Sequence, residues 1–270
     1  MNSHKRLGLI AGNGKFPIMF AREARSMDYE IIAAGVKGDT SILLKPFVDK
    51  MNTFHVSELE QLCAYFRSEN VNKAIMAGQV NPDNLFREQM SEDDGLWKLF
   101  NAIQDRKADT IFTAVAEKLS EYDIELIDST FLIQNHLAPQ GTLTRRAPTL
   151  NELDDISFGR EIAKAMGGID VGQTVVVKDK AIVAIEAMEG TDRTILRGGQ
   201  IAKQGAVVVK MSKPDQDLRF DVPVVGPRTI RHMRKSRCAC LAIESAKTII
   251  IDQDKTVRLA DKAGICIVAV

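Results

Sequence analysis

The chain has 270 residues, 45% of them hydrophobic and 27% charged, with 36 basic residues against 36 acidic ones. That length allows two domains or one large one, and the hydrophobic share is that of a globular protein, not a disordered one. Balanced charge argues against a general nucleic-acid binder, and no window of about 18 apolar residues is present to span a bilayer.

The polar start, Met1 to Arg6, leads into an apolar run broken by Gly8, Gly12 and Gly14, which does not read as a signal peptide. Arg6 to Pro17 reads as a buried strand entering a glycine turn, Phe16 to Met27 as a helix and Glu30 to Val36 as a second strand. This β-α-β pattern predicts a parallel sheet with a right-handed crossover. Gly12-Asn13-Gly14 opens like a dinucleotide fingerprint, but Pro17 stands where the third glycine belongs, which tells against NAD. Gly12, Asn13, Gly14 and Lys15 remain candidates for a phosphate at the helix N-terminus; the plain alternative is a tight turn into a packed helix.

Further along, Glu58 to Ser68 reads as a helix and Val71 to Gly78 as a strand that runs into Gln79-Val80-Asn81-Pro82-Asp83. Ligands sit past the carboxyl ends of strands in open α/β sheets, so Asn81 and Asp83 are candidates, although Asn-Pro-Asp is also ordinary turn chemistry. Asp93 to Glu121 reads as helical, with Leu96, Leu99, Ile103, Ile111, Val115 and Leu119 as core, and Glu125 to Asp128 as a short strand. The expected first domain is therefore 1–133, Rossmann-like.

Residues 134–150, with His136, Pro139, Gly141, Arg145, Arg146 and Pro148, read as a linker. The expected second domain, 151–270, is mixed α/β. It opens with a helix from Asn151 to Met166, capped by Asn151. Strands are expected at 172–178, 181–186, 206–210, 240–244, 248–252 and 266–270. Asp179-Lys180 forms a hairpin turn, and a short helix spans Thr229 to Ser236. Cys63, Cys238, Cys240 and Cys266 complete no zinc pattern and read as reduced, buried thiols.

Two loops in this half carry the chemistry. Glu186 to Arg193 supplies Glu186, Glu189 and Asp192; Lys210 to Thr229 supplies Asp217 and Asp221 among Lys210, Lys213, Arg219 and Arg228, stiffened by three prolines. Each follows a strand, so both could meet at one end of a sheet. Oxygen ligands beside cations suit an anionic substrate with Mg²⁺ or Mn²⁺. Taken singly, each carboxylate reads as a turn cap or a solvated residue.

Four segments, Leu7 to Pro17, Ile169 to Gln173, Ala184 to Asp192 and Lys213 to Gly226, occur in an order that resembles the UDP-2,3-diacylglucosamine pyrophosphatases of the LpxI type, over nearly the whole chain. The resemblance implies two α/β domains, an Mg²⁺-dependent hydrolase, and cleavage of UDP-2,3-diacylglucosamine to UMP and 2,3-diacylglucosamine 1-phosphate in lipid A synthesis. It implies that Asp221, in Arg219-Phe220-Asp221-Val222-Pro223, is the essential aspartate, with Asp217 as the nearby alternative and Arg219 beside them. Asp221, Asp192 and Glu189 are then the metal candidates. Gly12 to Lys15, Asn81, Thr191, Lys213 and Gln216 are the substrate-binding candidates. Lys107-Ala108-Asp109-Thr110 departs from the family pattern and leaves Asp109 without a role. A diacyl substrate implies an apolar cleft, expected near 134–148. It also implies peripheral contact with the cytoplasmic face of the inner membrane, since each buried CH₂ contributes about 0.8 kcal/mol. A homodimer is open. Rival readings are a sugar-nucleotide transferase or dehydrogenase, and a non-catalytic nucleotide sensor.

Overall fold

The computed structural model describes residues 5–80 and 107–270. They fall into two compact units. The first holds the chain up to Ile133 together with Leu218–Phe220, and the second holds Gln134–Asp217 and Asp221–Val270.

The first unit is built on a parallel sheet of β1 (Lys5–Ala11), β2 (Tyr29–Val36), β3 (Lys50–Phe54), β4 (Lys73–Ala77) and β5 (Glu125–Leu126), in the order β3-β2-β1-β4-β5. The crossovers carry α1 (Phe16–Ser26), α2 (Leu59–Ser68) and α3 (Ala108–Ser120). Ile10, Ile32, Ala34 and Ala74 meet Leu62, Phe66 and Leu119 of α2 and α3. Their neighbours along the strands, Leu9, Ile31, Ala33 and Ile75, are also fully buried, so the sheet is covered on both faces, as a parallel sheet requires. The Rossmann-like reading holds, and β3 was not foreseen. Leu96, Leu99 and Ile103 of the expected long helix lie outside the described residues.

In the second unit the sheet runs β6-β13-β11-β9-β7-β8, from β6 (Gly141–Thr142), β7 (Thr174–Lys178), β8 (Ala181–Ile185), β9 (Val207–Lys210), β11 (Cys240–Ile243) and β13 (Cys266–Ala269). β9, β11 and β13 are parallel; β7 is antiparallel to β8 and β9, and β6 to β13. Alternation sends Val175, Val177, Val207 and Val209 to one face, under α4 (Leu150–Gly168). It sends Val176, Val208, Leu241 and Ile267 to the other, under α5 (Thr191–Ala202), α6 (Pro227–Lys235) and α7 (Gln253–Ala263).

Residues 134–150, read as a linker, are hydrogen-bonded to the second unit: the Ala138 amide donates to the Thr248 carbonyl, the Leu143 amide to the Ile267 carbonyl, and β6 extends the second sheet. The cap of α4 is Thr149, not Asn151. The Thr149 hydroxyl accepts the Glu152 amide, and the Glu152 carboxylate accepts the Thr149 amide. The strand expected at 248–252 forms as β12 (Ile249–Ile250), which pairs with β10 (Val224–Val225) in a separate two-stranded parallel ribbon. The Asp179-Lys180 hairpin stands as expected, both residues at positive φ, with their amides donating to the Asp155 carboxylate.

Candidate functional site

β8 and β9 run in the same direction, so their carboxyl ends open on one edge of the second sheet, and the two expected loops do meet there. The last residue of β9, Lys210, is buried. Its ammonium donates to the Thr191 hydroxyl at 2.9 Å and lies 3.8 Å from the Glu186 carboxylate just beyond β8. Thr191 opens α5 and donates its hydroxyl to Glu186 Oε1 at 2.7 Å. Glu186 Oε2 is buried without a hydrogen-bond donor.

Three residues on, Lys213 is 6% exposed. Its ammonium sits 2.5 Å from Asp170 Oδ1 and 3.4 Å from Asp221 Oδ2. The Gln173 side-chain amide donates to the same Asp221 oxygen. Gln216 closes the loop on itself: it accepts the Lys213 amide at 2.7 Å and donates to the Asp221 carbonyl at 2.5 Å. Glu244, just past β11, accepts the Ser212 amide at 2.8 Å and the Lys164 ammonium at 2.7 Å, which anchors the start of the loop. Burial pushes the Glu244 carboxyl up, but Lys164, the Ser212 amide and Lys247 together hold it below its ordinary value.

The end of α4 explains Asp170. The Asp170 amide donates to the Gly167 carbonyl and the Val171 amide to the Met166 carbonyl. Asp170 has φ 56°, so this is a helix-terminating turn with an aspartate at the left-handed position glycine usually fills. The turn then passes so close to β8 that a Cβ on Gly172 would stand 2.2 Å from the Glu186 carbonyl oxygen. Asp170, Gln173 and Glu244 were not singled out as site residues, although the first two lie within the Ile169–Gln173 segment.

The remaining candidates are held elsewhere. Glu189 is bound by Arg197 at 2.5 Å, which keeps its carboxyl below the ordinary value although burial pushes it up. Asp192 is bound by Arg228 at 2.5 Å and lies 3.0 Å from His232 Nδ1. Neither shares a partner with Asp221 among these contacts. Among the described residues no three His, Cys, Asp or Glu side chains gather as a metal site. The Asp217 carbonyl accepts the Asp221 amide, and Arg219 packs with the first unit, its guanidinium 5.3 Å from the Phe220 ring and its carbonyl accepting the Ser129 hydroxyl.

In the first unit, Gly12 to Lys15 lie at the carboxyl end of β1, beside that of β4, where the strand order reverses. Asn13 pairs with Gln79 through two backbone hydrogen bonds, and a Cβ on Gly12 would stand 2.6 Å from the Gln79 carbonyl oxygen. Packing alone therefore accounts for Gly12, while Asn13, Gly14 and Lys15 are exposed. Asn81 and Asp83 lie outside the described residues. The four cysteines are buried and free. Burial pushes the Cys63 and Cys238 thiols up to about 12, so neither is a nucleophile.

Solved structures resemble this chain only weakly. The biotin carboxylase subunit of pyruvate carboxylase gives a TM-score of 0.27 at 9% identity, over 73% of this chain and 41% of its own. The biotin carboxylase domain of Hydrogenobacter thermophilus 2-oxoglutarate carboxylase gives 0.25 at 12% identity, over the same shares. Scores this low carry no argument. Sequence is more telling. A Caulobacter vibrioides protein named UDP-2,3-diacylglucosamine pyrophosphatase LpxI is 26% identical over 98% of both chains. Residues 6–136 match the family model for the LpxI N-terminal domain and residues 139–268 that for the LpxI C-terminal domain, so the chain belongs to the LpxI family.

Proposed function

We propose that this chain hydrolyses the pyrophosphate of UDP-2,3-diacylglucosamine, releasing UMP and 2,3-diacylglucosamine 1-phosphate for lipid A synthesis. The observation that carries the reading is the placement of two buried lysines, Lys210 and Lys213, at one edge of the second sheet, with Lys213 beside Asp221, in a chain with this family membership. Buried ammonium groups are worth far more to a phosphoryl oxygen than exposed ones, because little water screens them.

In this reading one water adds across the P–O–P bridge; its oxygen bonds to one phosphorus while the bridging oxygen leaves with the other. Asp221 is half-exposed, so its carboxylate is open to a water as well as to Lys213 and Gln173. It orients that water and takes up its proton. Lys213 and Lys210 neutralise charge that builds on the phosphoryl oxygens, and Thr191 and Gln216 hold the substrate's polar groups around them. Asn13, Gly14 and Lys15, at the start of α1, are the first unit's own candidates for binding an anionic group.

Mg²⁺ belongs to the proposal. The side chains around Asp221 offer oxygen donors, the chemistry this ion prefers, and Asp221 would hold it. When bound it supplies positive charge to the pyrophosphate oxygens. Glu189 and Asp192 fit such a role poorly, because arginines already occupy them. No helix among the described residues is long and apolar enough to cross a membrane. The diacyl substrate brings the chain to the membrane surface through its own acyl groups.

Turnover of UDP-2,3-diacylglucosamine by purified chain, followed by mass with and without Mg²⁺, tests this. Metal-dependent UMP and 2,3-diacylglucosamine 1-phosphate are expected, and Asp221→Ala should lower the rate about 10²- to 10⁴-fold while remaining folded. Near-normal turnover by that variant removes Asp221 from the chemistry. No product from folded wild type overturns the reading.

A further inference from the structure

We propose that the opposite edge of the second sheet, at the amino ends of β9 and β11, holds a site for a soluble anion bearing two or more phosphoryl groups. A depression of about 820 Å³ opens there, the size of a small-molecule site. Among the described residues four cations and no carboxylate line it: Lys178 at the end of β7, Lys203 just past α5, Arg234 in the last turn of α6, and Arg237. Backbone contacts draw them to one place. The Gly205 amide donates to the Arg237 carbonyl at 2.7 Å, and the Arg237 amide to the Arg234 carbonyl at 3.1 Å. A Cβ on Gly205 would stand 3.4 Å from Lys178 Nζ, so that ammonium lies over the same turn.

The charge on this edge is left uncompensated. Lys178 is offset by Asp179 at 3.3 Å. Among the described residues Lys203, Arg234 and Arg237 have no ion-pair partner. Helices α5, α6 and α7 all end at the depression, and a cation at a helix C-terminus offsets its dipole. Each terminus carries only about half a negative charge, so three whole cations exceed what the helices need. Two of the three are also held by unusual backbone. Lys203 has φ 66° and Arg237 φ 52°, the left-handed region where glycine is commoner, and each instead sets a long cation on the rim. The planar fork of arginine matches phosphoryl oxygens two at a time, so Arg234 and Arg237 suit a phosphate ester or polyphosphate. The hollow shape favours a discrete molecule over a flat lipid surface.

The inference stands apart from the hydrolase reading and is tested without turnover. Inorganic pyrophosphate is titrated into the full chain in metal-free, low-salt buffer and followed by calorimetry. Arg234→Gln keeps a good helix former, and Arg237→Asn keeps a residue that accepts the left-handed backbone, so both remove charge and little else. Each should weaken binding about 10-fold and the pair about 100-fold, with circular dichroism unchanged. Arg231→Gln and Lys235→Gln, which remove exposed cations of α6 that do not line the depression, should bind as wild type. Equal weakening in those two means diffuse surface charge and overturns the proposal. So does a folded wild-type chain that binds no pyrophosphate. Wild-type affinity in the Arg234→Gln, Arg237→Asn pair overturns it as well, since pyrophosphate held beside Lys213 would survive those changes. Co-sedimentation with phosphatidylglycerol vesicles that is lost in the pair, without pyrophosphate binding, would make this edge a membrane contact and overturn it too. A chain that binds pyrophosphate here but makes no UMP refutes the hydrolase reading and leaves this site standing.

Discussion

Glu244 shows how a residue outside the reacting cluster governs it. Its carboxylate holds the Ser212 amide, and Ser212 precedes Lys213. Removing its charge strands Lys164 and frees the loop. Glu244→Gln should cost about 1–3 kcal/mol in urea unfolding, with a further loss of turnover from a displaced Lys213. Glu152 is the parallel case: burial raises its carboxyl, but the Arg146 guanidinium and the Thr149 amide hold it below the ordinary value. For both groups the folded state binds protons less readily than the unfolded chain. Their stabilisation is therefore full above the ordinary carboxylate value of 4.5 and fades as pH falls through the lowered ones. Melting temperatures taken from pH 7 to pH 3 should show Glu152→Gln and Glu244→Gln well below wild type at pH 7 and converging on it in acid. Parallel curves at every pH would contradict the assignment. At this scale the sequence reveals half the cluster. Lys213, Gln216 and Asp221 stand close together in one stiff, charged loop. Asp170 and Gln173 reach them across 43 and 48 residues, a separation no local pattern encodes.

Elements were legible where their pattern is local. Strands rich in valine and isoleucine and the Asp179-Lys180 turn follow from alternation and turn chemistry alone. The capping box of α4 was also there to be read, as Thr149 three residues before Glu152; replacing Thr149 by alanine should cost about 1 kcal/mol of thermal or urea stability. Helix α5 was missed for a physical reason. Gly198 and Gly199 sit in its middle, and glycine pairs read as loop. Tertiary packing demands them: a Cβ on Gly199 would stand 2.3 Å from the Ser236 Cβ, and one on Gly198 2.8 Å from the Val176 side chain. Gly199→Ala, which helix propensity alone would favour, should instead destabilise by about 1–3 kcal/mol, as overpacking does. A variant more stable than wild type in urea would show that the contact relaxes freely.

For the molecule as a whole, the two units differ in how their sheets are threaded. The first unit completes its sheet between Lys5 and Leu126, and only the piece at Leu218–Phe220 joins the unit from further along the chain. The second closes only when β13 slots between β6 and β11, and there the Ile267 amide donates to the Thr144 hydroxyl 123 residues earlier. That placement carries a cost in time. On the ribosome, β11 emerges with one edge bare and β6 without a partner, and neither can pair until β13 is free of the exit tunnel. Long-range closure of this kind is slow and leaves unpaired edges open to other chains. Refolding from urea should therefore show a fast phase for the first unit and a slower, concentration-sensitive one for the second, and in the cell the nascent second unit should be the part that chaperones hold.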